Sequence, residues 1–176
     1  LVGGTNGKSS TIHFASKLLK EEGFKSGVCY STHFLSHNER IVSNFQSVPN
    51  KAFTDLISDV ISATEIKKIQ ATTFEIMLIA ALRHFVAEGL NVALLEVGYG
   101  GKLDDTTAFN PKIVALTRVA EDQQGILGTD LDAMAFEILE ISKPGCWFIS
   151  AEQSKIRLQK MKTWLESHGA KWAMPI

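Results

Sequence analysis

Apolar and polar positions alternate along this chain in blocks that change period. Leu1-Val2 reads as the end of a strand running into glycines, and Ser10 to Glu22 repeats at helical spacing with Ile12, Ala15, Leu18 and Leu19 on one face. Gly23 stops that helix. Ser26 to Tyr30 is a short apolar run, Ser31 to Asn38 a polar loop, and Lys51 to Thr64 a second helix after Pro49, with Phe53, Leu56, Ile57, Val60 and Ile61 in register. Thr72, three residues before Glu75, caps a long apolar helix that runs to Glu88 and Gly89. Val92 to Val97 and Ile113 to Thr117 are continuous apolar runs of the kind buried on both faces of a parallel sheet. Asp130 to Ile141 is helical, Cys146 to Ser150 a strand, and Ser154 to His168 an amphipathic helix. Strands alternating with helices predict an α/β fold: a mostly parallel sheet of the P-loop type, helices on both faces, ligands at the carboxyl ends of the strands.

Length predicts one domain with a core of its own over residues 1–176. The 18 basic and 19 acidic residues leave a formal charge of −1, which argues against a general electrostatic hold on nucleic acid or anionic membrane. No apolar stretch reaches the roughly 18 residues of a membrane span, because Arg83 and His84 interrupt the longest. No signal peptide precedes the glycines, so a cytoplasmic location is expected; a monomer is the separate expectation for its oligomeric state. Cys29 and Cys146 lack a C-x-x-C spacing and read as buried thiols. A phosphate loop ordinarily follows a complete strand, and only Leu1-Val2 stand before this one; the expectation is a domain truncated at its N-terminal strand.

Three segments carry chemistry. Gly4-Thr5-Asn6-Gly7-Lys8-Ser9-Ser10 supplies the second half of a Walker A loop; the position of its first glycine is Val2, with Gly3 and Gly4 alongside. Backbone N–H groups of such a turn converge on a phosphate with a helix N-terminus behind them. Lys8 adds a cation for the β- and γ-phosphates, and Ser9 a hydroxyl for Mg²⁺; the plain alternative is a glycine turn with a solvated lysine. Glu96, at the tip of an apolar strand and followed by Gly98, Gly100 and Gly101, fits a Mg²⁺ ligand, or else a strand-end carboxylate paired with a basic neighbour. Ser31, His33 and His37 follow the second strand, on the rim where a metal or substrate would lie, although a single histidine there is more often a cap or surface group. No G-x-S-x-G elbow supports a nucleophilic hydrolase.

Together these segments resemble the folylpolyglutamate synthase and dihydrofolate synthase family of the Mur ligase superfamily. The glycine loop resembles the family's G-T-[NK]-G-K-G-S, and Tyr30 to Phe34 with Glu39-Arg40-Ile41 resemble [TS]-S-P-H-L and E-R-I. Leu95 to Thr106 resemble L-E-V-G-x-G-G-x-L-D-x-T; Thr72 to Glu75 and Ile141 to Gly145 extend the match. The resemblance implies an ATP-dependent ligase adding glutamate to a folate or pteroate through an acyl phosphate. Lys8 would hold the β/γ-phosphates, Ser9, Ser31 and Glu96 would ligate Mg²⁺, and a C-terminal domain beyond Pro175-Ile176 would complete the enzyme.

The sequence departs from the family in two motifs. In the family's T-N-I-x-x-D-H-x-x-x-L-G, asparagine is here Arg118 and the histidine, which resembles a ligand of a second metal, is Gln123. In E-K-A-G-I-I-K-P-G, the lysine carbamylated in the family aligns with Ile138. Met134, Ala135, Ile141 and Ser142 share the face of position 138, and none is a carboxylate. Two readings follow: a ligase running on one firm metal, with Arg118 supplying charge, or a nucleotide-binding relative that has lost turnover and serves as a binding or regulatory module. A different Mur-type ligase is a third, since Lys8-Ser9-Ser10 is closer to muramyl ligases. Arg118 also reads simply as a surface arginine paired with Glu121.

Overall fold

A computed structural model describes residues 1–120 and 130–173. In chain order the elements are β1 (Val2–Gly3), α1 (Lys8–Glu21), β2 (Ser26–Cys29), β3 (Ile41–Ser43), β4 (Gln46–Ser47), α2 (Asn50–Lys67), α3 (Thr73–Ala87), β5 (Val92–Leu95), β6 (Ile113–Leu116), α4 (Leu131–Leu139), β7 (Trp147–Ser150), α5 (Lys155–Ser167) and β8 (Lys171–Ala173). The chain divides into two compact units, Leu1–Thr11 with Glu96–Ile176, and Ile12–Leu95.

In the first unit four strands pair in the order β1-β6-β7-β8, all parallel. The register is set by Val2 opposite Ala115, Ile113 opposite Trp147, and Trp147 opposite Lys171. Val114, Leu116 and Phe148 from the strands, Met134 and Leu139 from α4, and Met161 and Leu165 from α5 form one buried cluster. Capping fixes where both helices start: Asp130 accepts from Asp132 and Ala133 N–H, Ser154 from Arg157 N–H. Trp172 stacks on Phe148 with ring centroids 5.9 Å apart and belongs to the short strand β8 that periodicity missed.

The second unit holds a sheet ordered β4-β3-β2-β5, with β2 parallel to β5 and β3 antiparallel to both neighbours. Hairpin β3–β4 had no signal in the apolar pattern. Its two central residues, Asn44 and Phe45, both adopt positive φ (48° and 71°), as a two-residue hairpin turn demands. The predicted capping box at the start of α3 is present, with Glu75 N–H donating to Thr72 Oγ1 at 3.2 Å and Thr72 N–H to Glu75 Oε2 at 2.6 Å. Glu75 is held ionised by those Thr72 donors, which lower its pKa.

Two expectations need correcting. Leu18 does not share the buried face of α1: it is 68% exposed, and Ser16 joins Ile12 inside, with Ala15 and Leu19 half-buried. The segment after β2 is not loop throughout, since His37–Arg40 form a helical turn. Cys29 and Cys146 are both buried, as expected.

Candidate nucleotide site

The carboxyl end of β1 turns directly into the glycine loop, and the loop into α1. Gly4 has φ +125° and Gly7 +88°, a conformation open to glycine and rare for other residues. At Gly4 there is a second reason: a Cβ would run into Thr117, the residue after β6. At Gly7 a Cβ would meet nothing within 4 Å, so the loop is open there to a ligand. Segment 117–120 is sewn to the loop. Thr117 N–H and hydroxyl both donate to Gly3 O (2.9 and 3.2 Å), Thr5 N–H donates to Arg118 O (3.0 Å), and Thr5 Oγ1 donates to Ala120 O and accepts from Ala120 N–H (both 3.1 Å).

Lys8 curls over its own loop, its ammonium donating to Gly4 O at 2.9 Å and Thr5 O at 3.2 Å. Those two carbonyls are what a phosphate would replace as partners. Ser9, one residue on, donates its hydroxyl to Glu96 Oε1 at 2.8 Å. Glu96 is 3% exposed and enters the first unit through a parallel bridge to Val2, reinforced by Val97 N–H to Val2 O at 2.9 Å. A buried carboxylate and a hydroxyl at the root of a glycine loop form a hard-oxygen pair suited to Mg²⁺. The residues present therefore fit one divalent ion.

The turn after Glu96 is built by a residue the motif contained but sequence reasoning gave no role. Asp104, 6% exposed, accepts from Gly98 N–H (2.8 Å) and Tyr99 N–H (2.9 Å) through Oδ2, and from the amide and hydroxyl of fully buried Thr106 through Oδ1. This fixes the glycine turn that leaves the strand tip at Glu96. An aspartate two residues before threonine is an Asx-turn signature, and that was the available signal.

The first unit thus brings together Gly4, Thr5, Asn6, Gly7, Lys8, Ser9, Ser10 and Glu96. Ser31 lies in the second unit, half-buried at the exit of β2. There Glu39 takes N–H groups from Phe34, Leu35 and Ser36 at 2.8 to 3.1 Å, and those donors, Phe34 foremost, lower its pKa. Arg40 Nε donates to His33 Nδ1 at 3.1 Å. Gln123 and Glu121 lie outside the described residues, as does the end at Pro175-Ile176.

A glycine loop between a strand and a helix, backed by a hydroxyl and a buried carboxylate, defines a nucleotide-binding α/β domain of the P-loop kind. The Mur ligase middle domain model matches residues 2–162, and the chain belongs to that family. It is 34% identical over 151 residues to the dihydrofolate synthase/folylpolyglutamate synthase of Haemophilus influenzae, covering 86% of this chain and 34% of that protein. Among solved structures it is similar to Escherichia coli FolC in complex with DHPP and ADP (30% identity, TM-score 0.89, 98% of this chain and 41% of that one). It is also similar to an FPGS-AMPPCP-folate complex (28% identity, TM-score 0.92, 98% and 43%). The chain spans about a third of the length of that curated relative.

Proposed function

We propose that residues 1–176 are the ATP-binding domain of a ligase that adds glutamate to a folate or pteroate. The observation that carries this is the Ser9–Glu96 pair at the root of the glycine loop, which readies two oxygens for Mg²⁺ beside the phosphate cradle. Similarity to proteins named dihydrofolate synthase/folylpolyglutamate synthase, and to structures titled with AMPPCP, ADP and folate, supports the choice of substrate.

In this reading the loop amides receive the phosphates, and Lys8 exchanges Gly4 O and Thr5 O for β- and γ-phosphate oxygens. Ser9 and Glu96 would hold Mg²⁺, which would supply charge neutralisation. The substrate carboxylate attacks the γ-phosphorus, ADP leaves, and an acyl phosphate results. The glutamate amine then attacks the acyl carbon, phosphate departs with the C–O bond electrons, and the amine loses a proton to leave the amide. Little covalent work falls to the protein; positioning and preorganised charge carry the rate. A cytoplasmic, monomeric enzyme suits such freely diffusing substrates.

The test is ATP turnover by the full natural protein with Mg²⁺, glutamate and folate or pteroate. Substrate-dependent phosphate release and its loss in Lys8→Ala are expected, together with at least a tenfold fall in nucleotide affinity, of the order of one lost charged contact (about 1.5–3 kcal/mol). Unchanged affinity in Lys8→Ala would remove the loop from the account. The burial of Ile138 favours a second reading, a nucleotide-binding module without turnover; tight nucleotide binding with no phosphate release under any substrate would establish it instead.

A further inference from the structure

We infer that this site is built for a single divalent cation and that Arg118 provides the positive charge a second would bring. The inference rests on the nucleotide-binding ligase reading above. Its first support is the surroundings of position 138. Ile138 is 6% exposed and lies in the core cluster of the first unit, its Cγ2 only 2.9 Å from where a Cβ on Gly3 would stand. Beside the strand that leads into the phosphate loop there is packed hydrocarbon, with no ligand atom.

Its neighbours do not compensate. The Glu137 backbone carbonyl abuts Gly101, its side chain accepts from Lys102 N–H at 3.2 Å, and Glu140 pairs with the Lys102 ammonium at 3.2 Å. Both carboxylates of that stretch of helix are therefore committed to Lys102. Asp104, the other buried carboxylate near the glycine turn, spends both oxygens on backbone amides and Thr106. Among the described residues no group of three or more His, Cys, Asp or Glu could hold a metal ion. Among the described residues Glu96 is the carboxylate joined to the loop through Ser9, and one carboxylate with hydroxyls, phosphate oxygens and water would suffice for one Mg²⁺.

A second independent feature is Arg118. Its carbonyl accepts from Thr5 N–H, its backbone forms an antiparallel bridge with Asn6, and Thr117 and Ala120 on either side are tied to Gly3 and Thr5. The backbone of the residue is therefore tied to the phosphate loop. Its side chain is exposed, and among the described residues its guanidinium makes no ion pair. An arginine whose backbone is anchored beside a phosphate loop can bring its guanidinium to the oxygens of a phosphoryl group in transfer.

The experiment counts metal and probes charge without needing turnover. The full natural protein is saturated with AMPPNP and titrated with Mn²⁺, and bound Mn²⁺ is counted by electron paramagnetic resonance. One Mn²⁺ per bound nucleotide is expected; two overturn the inference while leaving the ligase reading intact. Failure to bind AMPPNP at all would overturn both. In parallel, Arg118→Ala should weaken binding of Mg·ADP with aluminium fluoride, a mimic of the transferring phosphoryl group, roughly 100-fold. Affinity for AMPPNP should change less than about threefold, because the charge acts on the transferring group. Arg118→Lys should recover part of the loss. Equal weakening of both ligands, or of neither, would overturn the role given to Arg118.

Discussion

Gly4 joins two requirements that no other residue meets together. Its φ of +125° is rare for an L side chain, and the space where a Cβ would sit is filled by Thr117. Gly4→Ala must therefore either flip the peptide or push the segment after β6 away from the loop. A cost of about 2–4 kcal/mol is expected, combining backbone strain with lost packing. Urea unfolding at neutral pH measures it; a loss below about 0.5 kcal/mol would mean that the loop relaxes freely. Gly7 is the contrast, since it shares a positive φ but faces open space, so an alanine there strains the backbone without a collision. The sequence marked both glycines as loop residues through the G-K-S pattern. It could not separate a glycine demanded by Thr117 from one demanded by conformation alone, because that contact spans 113 positions of chain.

Helices α4 and α5 are joined by a charge network in which Arg157 is central. It pairs with Asp132 at 2.8 Å and Glu152 at 3.0 Å, while Lys160 holds the other Asp132 oxygen at 2.6 Å. Burial pushes the Glu152 pKa up, but the Ser154 amide and Arg157 outweigh it and the net shift is downward. Asp132 is lowered chiefly by Lys160 and then Arg157. Both carboxylates have folded pKa values below their unfolded ones, so their stabilisation is complete above the ordinary carboxylate range. It disappears as pH falls below about 4 through the folded values. Arg157→Ala strands Glu152, whose side chain is 6% exposed, and should cost about 3 kcal/mol at pH 7. That penalty should shrink near pH 3, where Glu152 can be neutral; chemical denaturation of wild type and variant at both pH values checks it. An equal penalty at both would mean that lost packing of the arginine stem, not charge, sets the cost.

At the same scale, the amphipathic and apolar blocks made α1 to α5 and β2, β5, β6 and β7 legible, because each repeats long enough to reveal its period. Strands β3, β4 and β8, of three, two and three residues, are too short to show one, and they exist through pairing with distant partners. The candidate site was legible for a related reason. Gly4 to Ser10 form one contiguous motif, and Glu96 stands at the tip of an apolar run, so local pattern pointed at both. Asp104 was missed because its importance lies in which amides it gathers, and hydrogen-bond partners have no period.

For the molecule as a whole, the link between site and stability is mass action. If Mg²⁺ and nucleotide bind the folded loop as proposed, and not the unfolded chain, then at one hundred times the dissociation constant they add about 2.7 kcal/mol. For a chain of this length that converts to a rise in Tm of about 5–10 °C. Calorimetry with AMPPNP and Mg²⁺ should show the rise, and chelating the metal should remove most of it, since buried Glu96 then faces the phosphates without a cation between them. The chain forms two compact units, and the loop with Glu96 belongs to the first. If two transitions are resolved, the shift must therefore appear in the one reported by Trp147, Trp164 and Trp172, which are the three tryptophans of the chain and all lie in that unit. A rise that survives chelation would mean that the phosphate loop alone provides the affinity, and it would strip Glu96 and Ser9 of the metal-holding role given to them.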